Sequence, residues 1–167
     1  PSLWVTAKSA TQFSGHLTVP MAPVTAGEGA NLYPSLAVIN GIPAIAYFDY
    51  DNENLRYVRA TDESGTVWDS SKLLDSMGSV GPFSSLTTIQ GNPAVAYRDI
   101  TNKDLKYVRA NDTSGTDWGM PMTIDSIGDV GYYPSLAMIN GRPAIAYYDA
   151  TNGNLEFVRA LDSYGTS

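Results

Sequence analysis

Short apolar segments bounded by turn residues run through this chain and predict β-strands. Residues 35–40 carry apolar side chains on both faces of a segment that ends at Asn40-Gly41, a strong hairpin turn signal. Residues 44–49 form a second apolar run, and residues 55–60 alternate with a period of two. Together with residues 67–74 they predict four strands, A to D, joined as a meander. A helical period of 3.6 extends nowhere far enough to predict a helix.

The whole pattern repeats every 50 residues, without insertion or deletion. The segment YPSLAVINGIPAIAYFDYDNEN begins at Tyr33 and returns in related form at Phe83 and Tyr133. Strands A and B are apolar on both faces, so each sheet must lie between two neighbouring sheets. Radial stacking of four-stranded antiparallel sheets meets this requirement, and repeats of this length are typical of it. The sequence therefore predicts an all-β fold, a β-propeller of four-stranded antiparallel blades.

The repeat also predicts the boundaries within a single propeller unit spanning residues 1–167. Residues 1–32 correspond to strands C and D of a partial blade, and residues 33–82 and 83–132 to two blades. Residues 133–167 correspond to strands A, B and C of a last, partial blade. About three blades do not close a ring, because propellers use typically 4–8 blades. We therefore expect the ring to be completed by self-association, as a homodimer, or by a longer parent chain.

The net charge of −7 argues against two classes of partner. Nucleic acid and anionic lipid both require a cationic face, which this acidic chain does not predict. No apolar run approaches the roughly 20 residues of a membrane-spanning helix, so membrane insertion is not expected. The sequence predicts no cofactor and no metal site. We expect a secreted or cell-surface protein of bacterial or phage type.

The turn after strand C repeats a short polar motif. It reads DESGTVW from Asp62, DTSGTDW from Asp112 and, truncated, DSYGTS from Asp162. This turn resembles the Asp-box of sialidase-like (BNR) β-propellers, Ser-x-Asp-x-Gly-x-Thr-Trp, although Asp and Gly here stand three residues apart and Ala replaces the leading Ser. The motif is structural in that family. From the residues alone, the Asp is expected to accept hydrogen bonds from backbone N–H groups ahead of it, and the Trp to anchor the hairpin against the neighbouring blade.

The resemblance raises the question of sialidase-type chemistry. Such sites use a cluster of three arginines, a tyrosine activated by a glutamate, and an aspartate acid/base. Arg59, Arg109 and Arg159 recur at one blade position, where we expect them to pair with acidic neighbours on adjacent strands. The sequence shows no complete catalytic set, and its single histidine, His16, provides no Ser–His–acid arrangement. The chain is therefore predicted not to be an enzyme.

The candidate binding site lies on the face from which the B–C loops and the D–A links emerge. Aromatic rings stack on the C–H faces of sugars, while carboxylates and amides bond to sugar hydroxyls, so this mixture predicts a glycan site. The candidate ligand-binding residues are Tyr50, Asp49, Arg98, Asp99, Tyr132, Tyr148 and Asp149. The alternative is structural: the three aspartates cap the loop backbone, and the aromatic rings fill the seams between blades.

Three functions stay open on the sequence alone. The favoured one is a non-catalytic, lectin-like recognition module that binds glycan through the loops on one face. The second is a structural or protein-interaction propeller module. The third is a fragment of a sialidase-like glycoside hydrolase.

Overall fold

The structure, a computed structural model, describes residues 23–167. This part of the chain consists of antiparallel strands joined by turns and loops, and it contains no helix that could cross a membrane. Its strands are β1 (Asn31–Ile39), β2 (Ile42–Asp49), β3 (Asn54–Arg59), β4 (Lys72–Asp75), β5 (Ser85–Ile89), β6 (Asn92–Asp99), β7 (Asp104–Arg109), β8 (Met122–Asp125), β9 (Tyr132–Ile139), β10 (Arg142–Asp149) and β11 (Asn154–Arg159).

The strands form three successive antiparallel sheets. The first sheet, β1–β4, and the second sheet, β5–β8, are four-stranded meanders, and the third sheet contains β9, β10 and β11 with β10 at its centre. Strand β5 contacts β1 on one side and β9 on the other, and these three are the inner strands of the stack. The N–H groups of Leu86 and Leu136 donate to the hydroxyls of Ser35 and Ser85, which joins each inner strand to the next. The predicted all-β propeller fold is confirmed, as a partial propeller.

Strand boundaries differ from the sequence-based expectation at strands A and D of the first repeat, whereas strand A of the second repeat begins at Ser85 as expected. Strand A begins at Asn31 rather than at residue 35, because a bulge between Leu32 and Ser35 lets the pairing with β2 continue past the irregularity. Strand D shrinks from residues 67–74 to Lys72–Asp75. In the first half of the predicted strand, only an isolated bridge pairs Trp68 with Ala60, and regular pairing begins at Lys72. The partial blade expected at residues 1–32 lies largely outside the described residues and stays a prediction.

The two ends of the sheets form two distinct faces. On the loop face, defined as residues 26–33 and 49–54 with their repeats at 76–83, 99–104, 126–133 and 149–154, each D–A link lies between B–C loops. The N–H of Val80 donates to the Glu53 carbonyl on one side, and the N–H of Ile100 donates to the Ser79 carbonyl on the other. The turn face carries the A–B and C–D turns, where the Asn40 amide donates to a carbonyl of each turn of the next sheet.

The core lies in the two seams between sheets. The first seam joins the first and second sheets, and its buried apolar residues include Ile39, Leu55, Tyr57, Val95, Tyr97 and Val108. The second seam joins the second and third sheets, and includes Ile89, Leu105, Tyr107, Leu136, Ile145 and Tyr147. Small residues such as Ala44 and Ala46 are fully buried near the inner strands, as the crowding there requires. Burial of each large side chain stabilises the stack by about 1.5–3 kcal/mol.

The C–D turns close the seams by reaching over the preceding sheet. Asp112 accepts backbone N–H bonds from Ser114, Gly115, Thr116 and Asp117 at 2.6–3.2 Å, which confirms the predicted structural role of this carboxylate. The burial of Asp112 opposes its ionisation, but these bonds and those from the turn hydroxyls outweigh it and lower its pKa.

The same turn seats its tryptophan on the first sheet. The Trp118 ring meets the Tyr57 ring edge to face at 5.1 Å, as the sequence predicted for an anchor, and the Tyr57 hydroxyl donates to the Ser114 carbonyl at 3.2 Å. A Cβ at Gly115 would lie 2.7 Å from the Tyr57 ring, so only glycine fits at this close approach.

The repeated arginines behave differently from the sequence-based expectation. Arg59 donates to the carbonyl of Ile39 at 3.2 Å, and Arg109 donates to the carbonyl of Ile89 at 3.1 Å. The expected pairing with carboxylates is therefore wrong for these two arginines: each reaches across strand B and holds the end of its own inner strand.

Candidate functional site on the loop face

The three repeated aspartates hold the B–C loops in place. Asp49, Asp99 and Asp149 accept bonds from both the backbone N–H and the side-chain amide of the asparagine three residues ahead, at 2.7–3.2 Å. All three are buried. The hydrogen bond from the Asn152 side-chain amide lowers the pKa of Asp149, and burial offsets part of this effect. Because their oxygens are occupied by the loop, these residues shape the loop face, and their contact with a ligand stays a prediction.

A polar cluster at the loop-face end of the second seam has no counterpart in the other repeats that the structure describes. This Arg98 cluster consists of Arg98, Asp129 and Tyr132. The Arg98 guanidinium is buried, forms an ion pair with Asp129 at 2.6 Å and donates to the Val130 carbonyl. It also lies 3.7 Å from the centre of the Tyr132 ring, in a cation–π arrangement. Phe48 and Tyr148 occupy the equivalent positions in the other sheets, so the cluster belongs to the second sheet alone.

The structure brings some of the predicted site residues together and separates others. Tyr148 lies 6.2 Å from Tyr132 and thus borders the Arg98 cluster, with 40% of its surface exposed. Tyr50 is 59% exposed, but its aromatic neighbour is Phe48 of the first sheet, away from this cluster. Arg98, Tyr132 and Tyr148 therefore form one group, and Tyr50 stands alone at the first B–C loop.

A row of aromatic rings at the inner strands was not among the predicted site residues. This aromatic row consists of Tyr33, Phe83 and Tyr133, whose neighbouring ring centres are 4.6 and 4.5 Å apart. The Tyr132 ring lies 6.0 Å from Phe83 and so connects the row to the Arg98 cluster. The recurrence of an aromatic residue every 50 positions was visible in the sequence, but the contact between the three rings was not.

Asp104 is the carboxyl of this face with a raised pKa. Burial, followed by the neighbouring Asp99 carboxylate, raises the pKa of Asp104. The equivalent positions in the first and third sheets are Asn54 and Asn154, so the acid is a feature of the second sheet. No group of three or more His, Cys, Asp or Glu side chains among residues 23–167 is arranged to hold a metal ion.

Comparison with known proteins gives matches only at the level of structure. Neither the known protein-family profiles nor the characterised protein sequences match this chain. Its fold is similar to the catalytic domain of a GH62 α-L-arabinofuranosidase from Coprinopsis cinerea, with a TM-score of 0.55, 16% identity, 83% of this chain covered and 50% of the other.

Two further arabinofuranosidases give the same picture. An α-L-arabinofuranosidase from Lactobacillus brevis has a TM-score of 0.55 at 12% identity, with 80% of this chain and 50% of the other covered. The α-L-arabinofuranosidase CtGH43 from Clostridium thermocellum has a TM-score of 0.51 at 12% identity, with 82% and 49% covered. These proteins are five-bladed β-propellers, and the chain spans about half of their length.

The comparison contradicts two predictions made from the sequence. The chain was predicted to be a non-catalytic, lectin-like glycan-binding module and not an enzyme, whereas its structural neighbours are catalytic glycoside hydrolase domains. The prediction was wrong because it required a complete catalytic set within this chain. The chain spans about half of each neighbour's length, so a missing group among its residues does not argue against a hydrolase.

Proposed function

We propose that this chain forms part of a glycoside hydrolase-type propeller whose loop face binds and cleaves a glycan. The observation that carries the proposal is the likeness of the stack to three arabinofuranosidase catalytic folds. The loop face adds the chemistry that a sugar site needs, namely exposed aromatic rings beside charged and amide groups. Arabinose-containing polysaccharides are the substrate class that the named neighbours suggest.

The predicted site residues take separate parts in this proposal. Tyr50, Tyr132 and Tyr148 contact the glycan through their rings. Arg98 fixes the Tyr132 ring and the Asp129 carboxylate in position. Asp49, Asp99 and Asp149 hold the B–C loops from which the exposed tyrosines project.

Hydrolysis of a glycosidic bond uses one carboxyl group as proton donor, a role that a raised pKa favours, together with a second carboxyl group. We assign the proton donor to Asp104, because its pKa is shifted upward, in the opposite direction from those of Asp49 and Asp149. Asp129, paired with Arg98 at 2.6 Å, is the second carboxyl group that we place on the same face.

The test is hydrolysis by the full chain of p-nitrophenyl α-L-arabinofuranoside and of soluble arabinoxylan, followed by product chromatography. We expect arabinose release, and a loss of about 100-fold or more in rate for Asp104→Asn, as for removal of a general acid. This variant is structurally matched, because Asn54 and Asn154 already occupy the position in the other sheets.

Asp117→Asn serves as the control for this assay, because it removes a carboxylate from the turn face. It should keep the parent rate. Absence of release by the parent, tested over concentrations that span any self-association, would overturn the hydrolase proposal. Full activity of Asp104→Asn would overturn only the assignment of the acid.

We further propose that a second copy of the chain completes the stack. Leu155 and Phe157 of the third sheet are 82% and 59% exposed, whereas their equivalents Leu55 and Tyr57 are 0% and 1% exposed inside the first seam. At the other end of the stack Leu36 is 68% exposed, against 6% for Leu86 in the second sheet. A head-to-tail partner covers both apolar ends at once.

Light scattering tests this dimer. The parent should have the mass of a dimer, and Leu155→Asp should have the mass of a monomer. A parent that stays monomeric at micromolar concentration contradicts the proposal.

Two remaining features fit the same proposal. An enzyme that acts on polysaccharide works outside the cell, so we propose a secreted or surface location. The carboxylate-centred turns at Asp62, Asp112 and Asp162 support kinship with Asp-box propellers.

A further inference from the structure

The aromatic row is held by an unfavourable backbone conformation. Tyr33, Phe83 and Tyr133 have φ values of 52°, 57° and 51°, in the left-handed region that bulky residues rarely adopt. Glycine or asparagine would adopt this conformation at lower cost. The fold therefore keeps an aromatic side chain three times at a position where its backbone favours a smaller residue. Strained residues of this kind cluster at binding and catalytic sites.

At Tyr33 and Tyr133 the strain coincides with a bulge in the pairing of the inner strand, whereas Phe83 lies just before β5, whose register is unbroken. The pairing register shifts between Leu32 and Ser35 in β1, and again between Ala146 and Tyr148 opposite β9. A bulge re-aims the side chain at which it occurs, because it breaks the alternation of the strand. The rings of successive sheets are in contact along the inner edge of the loop face, with centres 4.6 and 4.5 Å apart.

The rings of the row are not simply part of the core. Tyr33 and Tyr133 are 44% and 67% exposed, whereas Tyr57 and Tyr97 in the first seam are 1% and 0% exposed. The row therefore presents the exposed rings of Tyr33 and Tyr133 to solvent, on either side of the half-buried Phe83 ring. Exposed apolar surface that is contiguous and bordered by polar groups is typical of a ligand site.

The surroundings of the row identify the kind of ligand. Tyr132 lies 6.1 Å from Tyr133 and leads directly to the Arg98–Asp129 ion pair, so ring surface and hydrogen-bonding groups adjoin. This combination matches a sugar, which has apolar C–H faces and a hydroxyl rim. The net charge of −7 disfavours polyanions such as nucleic acid or acidic polysaccharide.

We infer that the aromatic row is a binding track for a neutral glycan chain, on which more than one linked sugar unit stacks before the chain reaches the Arg98 cluster. The identity of the ligand as a glycan rests on the proposed function. The binding track itself is defined by the three repeated rings, independently of any catalytic group.

Affinity electrophoresis of the full chain in gels that contain soluble arabinoxylan tests this inference. The test variant is Tyr133→Gly, because glycine removes the ring and tolerates the backbone at φ 51°. We expect its dissociation constant for arabinoxylan to rise about tenfold, the loss that corresponds to one good aromatic contact. Tyr33→Gly should behave in the same way, while both variants unfold at or above the temperature of the parent.

Two control variants separate stacking from other roles. Tyr133→Phe should bind as tightly as the parent, because the middle member of the row, Phe83, already lacks a hydroxyl. Tyr164→Ala removes a tyrosine that is 51% exposed in the C–D turn of the opposite face, and it should also bind normally. Loss of binding in either control would overturn the track.

The outcomes distinguish this inference from the hydrolase proposal. If Tyr133→Gly loses binding while the parent releases no arabinose, the track stands and the hydrolase proposal fails. If the parent hydrolyses the substrate but both glycine variants bind arabinoxylan as the parent does, the track is wrong and the hydrolase stands. A parent that is not retarded by arabinoxylan at all also overturns the track.

Discussion

The two seams have the same architecture but opposite electrostatics. In the first seam Asp75 accepts the Tyr97 hydroxyl and the Lys106 ammonium, both at 2.6 Å. In the second seam Asp125 accepts the Tyr147 hydroxyl at 2.6 Å, but Glu156 stands where lysine stands in the first. At the same repeat position, Lys106 therefore neutralises the Asp75 carboxylate of the first seam, whereas Glu156 adds a second acid to Asp125 of the second seam.

The packing of the two seams differs in the same direction. A cavity of about 120 Å³ lies beside Tyr57 in the first seam, and one of about 300 Å³ lies beside Tyr107 in the second. Strand β6 is buried along its whole length, whereas the outer strand β11 of the third sheet is mostly exposed. The comparison teaches that a sequence repeat need not give equal stability: from the Asp75–Lys106 pair and the smaller cavity, we expect the first seam to be the more stable of the two.

The largest expected effect comes from removing the carboxylate of the first seam. Asp75→Ala should reduce the free energy of unfolding by about 3–5 kcal/mol, because the buried Lys106 ammonium loses its close partner and keeps only Asp99 at 3.8 Å, and the buried Tyr97 hydroxyl loses its acceptor. Asp125→Ala should cost only about 1–2 kcal/mol, the loss of one hydrogen bond from Tyr147. Urea unfolding with an unchanged slope measures both. Equal losses would contradict the difference between the seams.

A smaller effect is expected at the turn that covers the first seam. Asp112→Ala should reduce the free energy of unfolding by about 1–3 kcal/mol, because several N–H groups of the turn lose their acceptor. It should leave glycan binding unchanged, since the turn lies on the face opposite the loop face. A variant that unfolds like the parent but loses ligand would show that this turn is a binding site instead.

Exchanging the charges at one repeat position sharpens the comparison. Glu156→Lys gives the second seam the lysine of the first and should stabilise the protein by about 1 kcal/mol through a new bond to Asp125. The reciprocal variant, Lys106→Glu, should destabilise it, because two acids then share the buried first seam. Thermal unfolding of the two variants measures both changes in stability. If both variants were stabilised or both destabilised, the charge at this position would not determine seam stability.

The smallest expected effect is a dependence of stability on pH. Burial raises the pKa of Asp75, but the bonds from Lys106, Tyr97 and the Met77 N–H outweigh it, so the folded-state pKa lies below the usual value. The stabilisation is therefore complete above about pH 4, the unfolded-state value, and is lost as the pH falls through the folded-state value. The difference in unfolding free energy between the parent and Asp75→Asn should shrink below about pH 4. A constant difference would contradict this.

The fold could be predicted from the sequence because the repeat supplies the same evidence several times. Asn40-Gly41 and its copies fix the hairpins, and the apolar faces of strands A and B require neighbours on both sides. The site was harder to predict. The left-handed conformation at Tyr33 and Tyr133 accompanies a bulge in the pairing with strand B, and the raised pKa of Asp104 arises from burial beside Asp99. Both depend on contacts that local sequence does not contain.

A crystal structure of the full chain with an arabinoxylan oligosaccharide tests most directly whether the loop face is the glycan-binding face. The account predicts sugar rings stacked on Tyr33, Phe83 and Tyr133, with the chain continuing towards Arg98 and Asp129. Sugar bound instead on the turn face, beside Trp68 or Trp118, or a loop face left empty at saturating ligand, would contradict it.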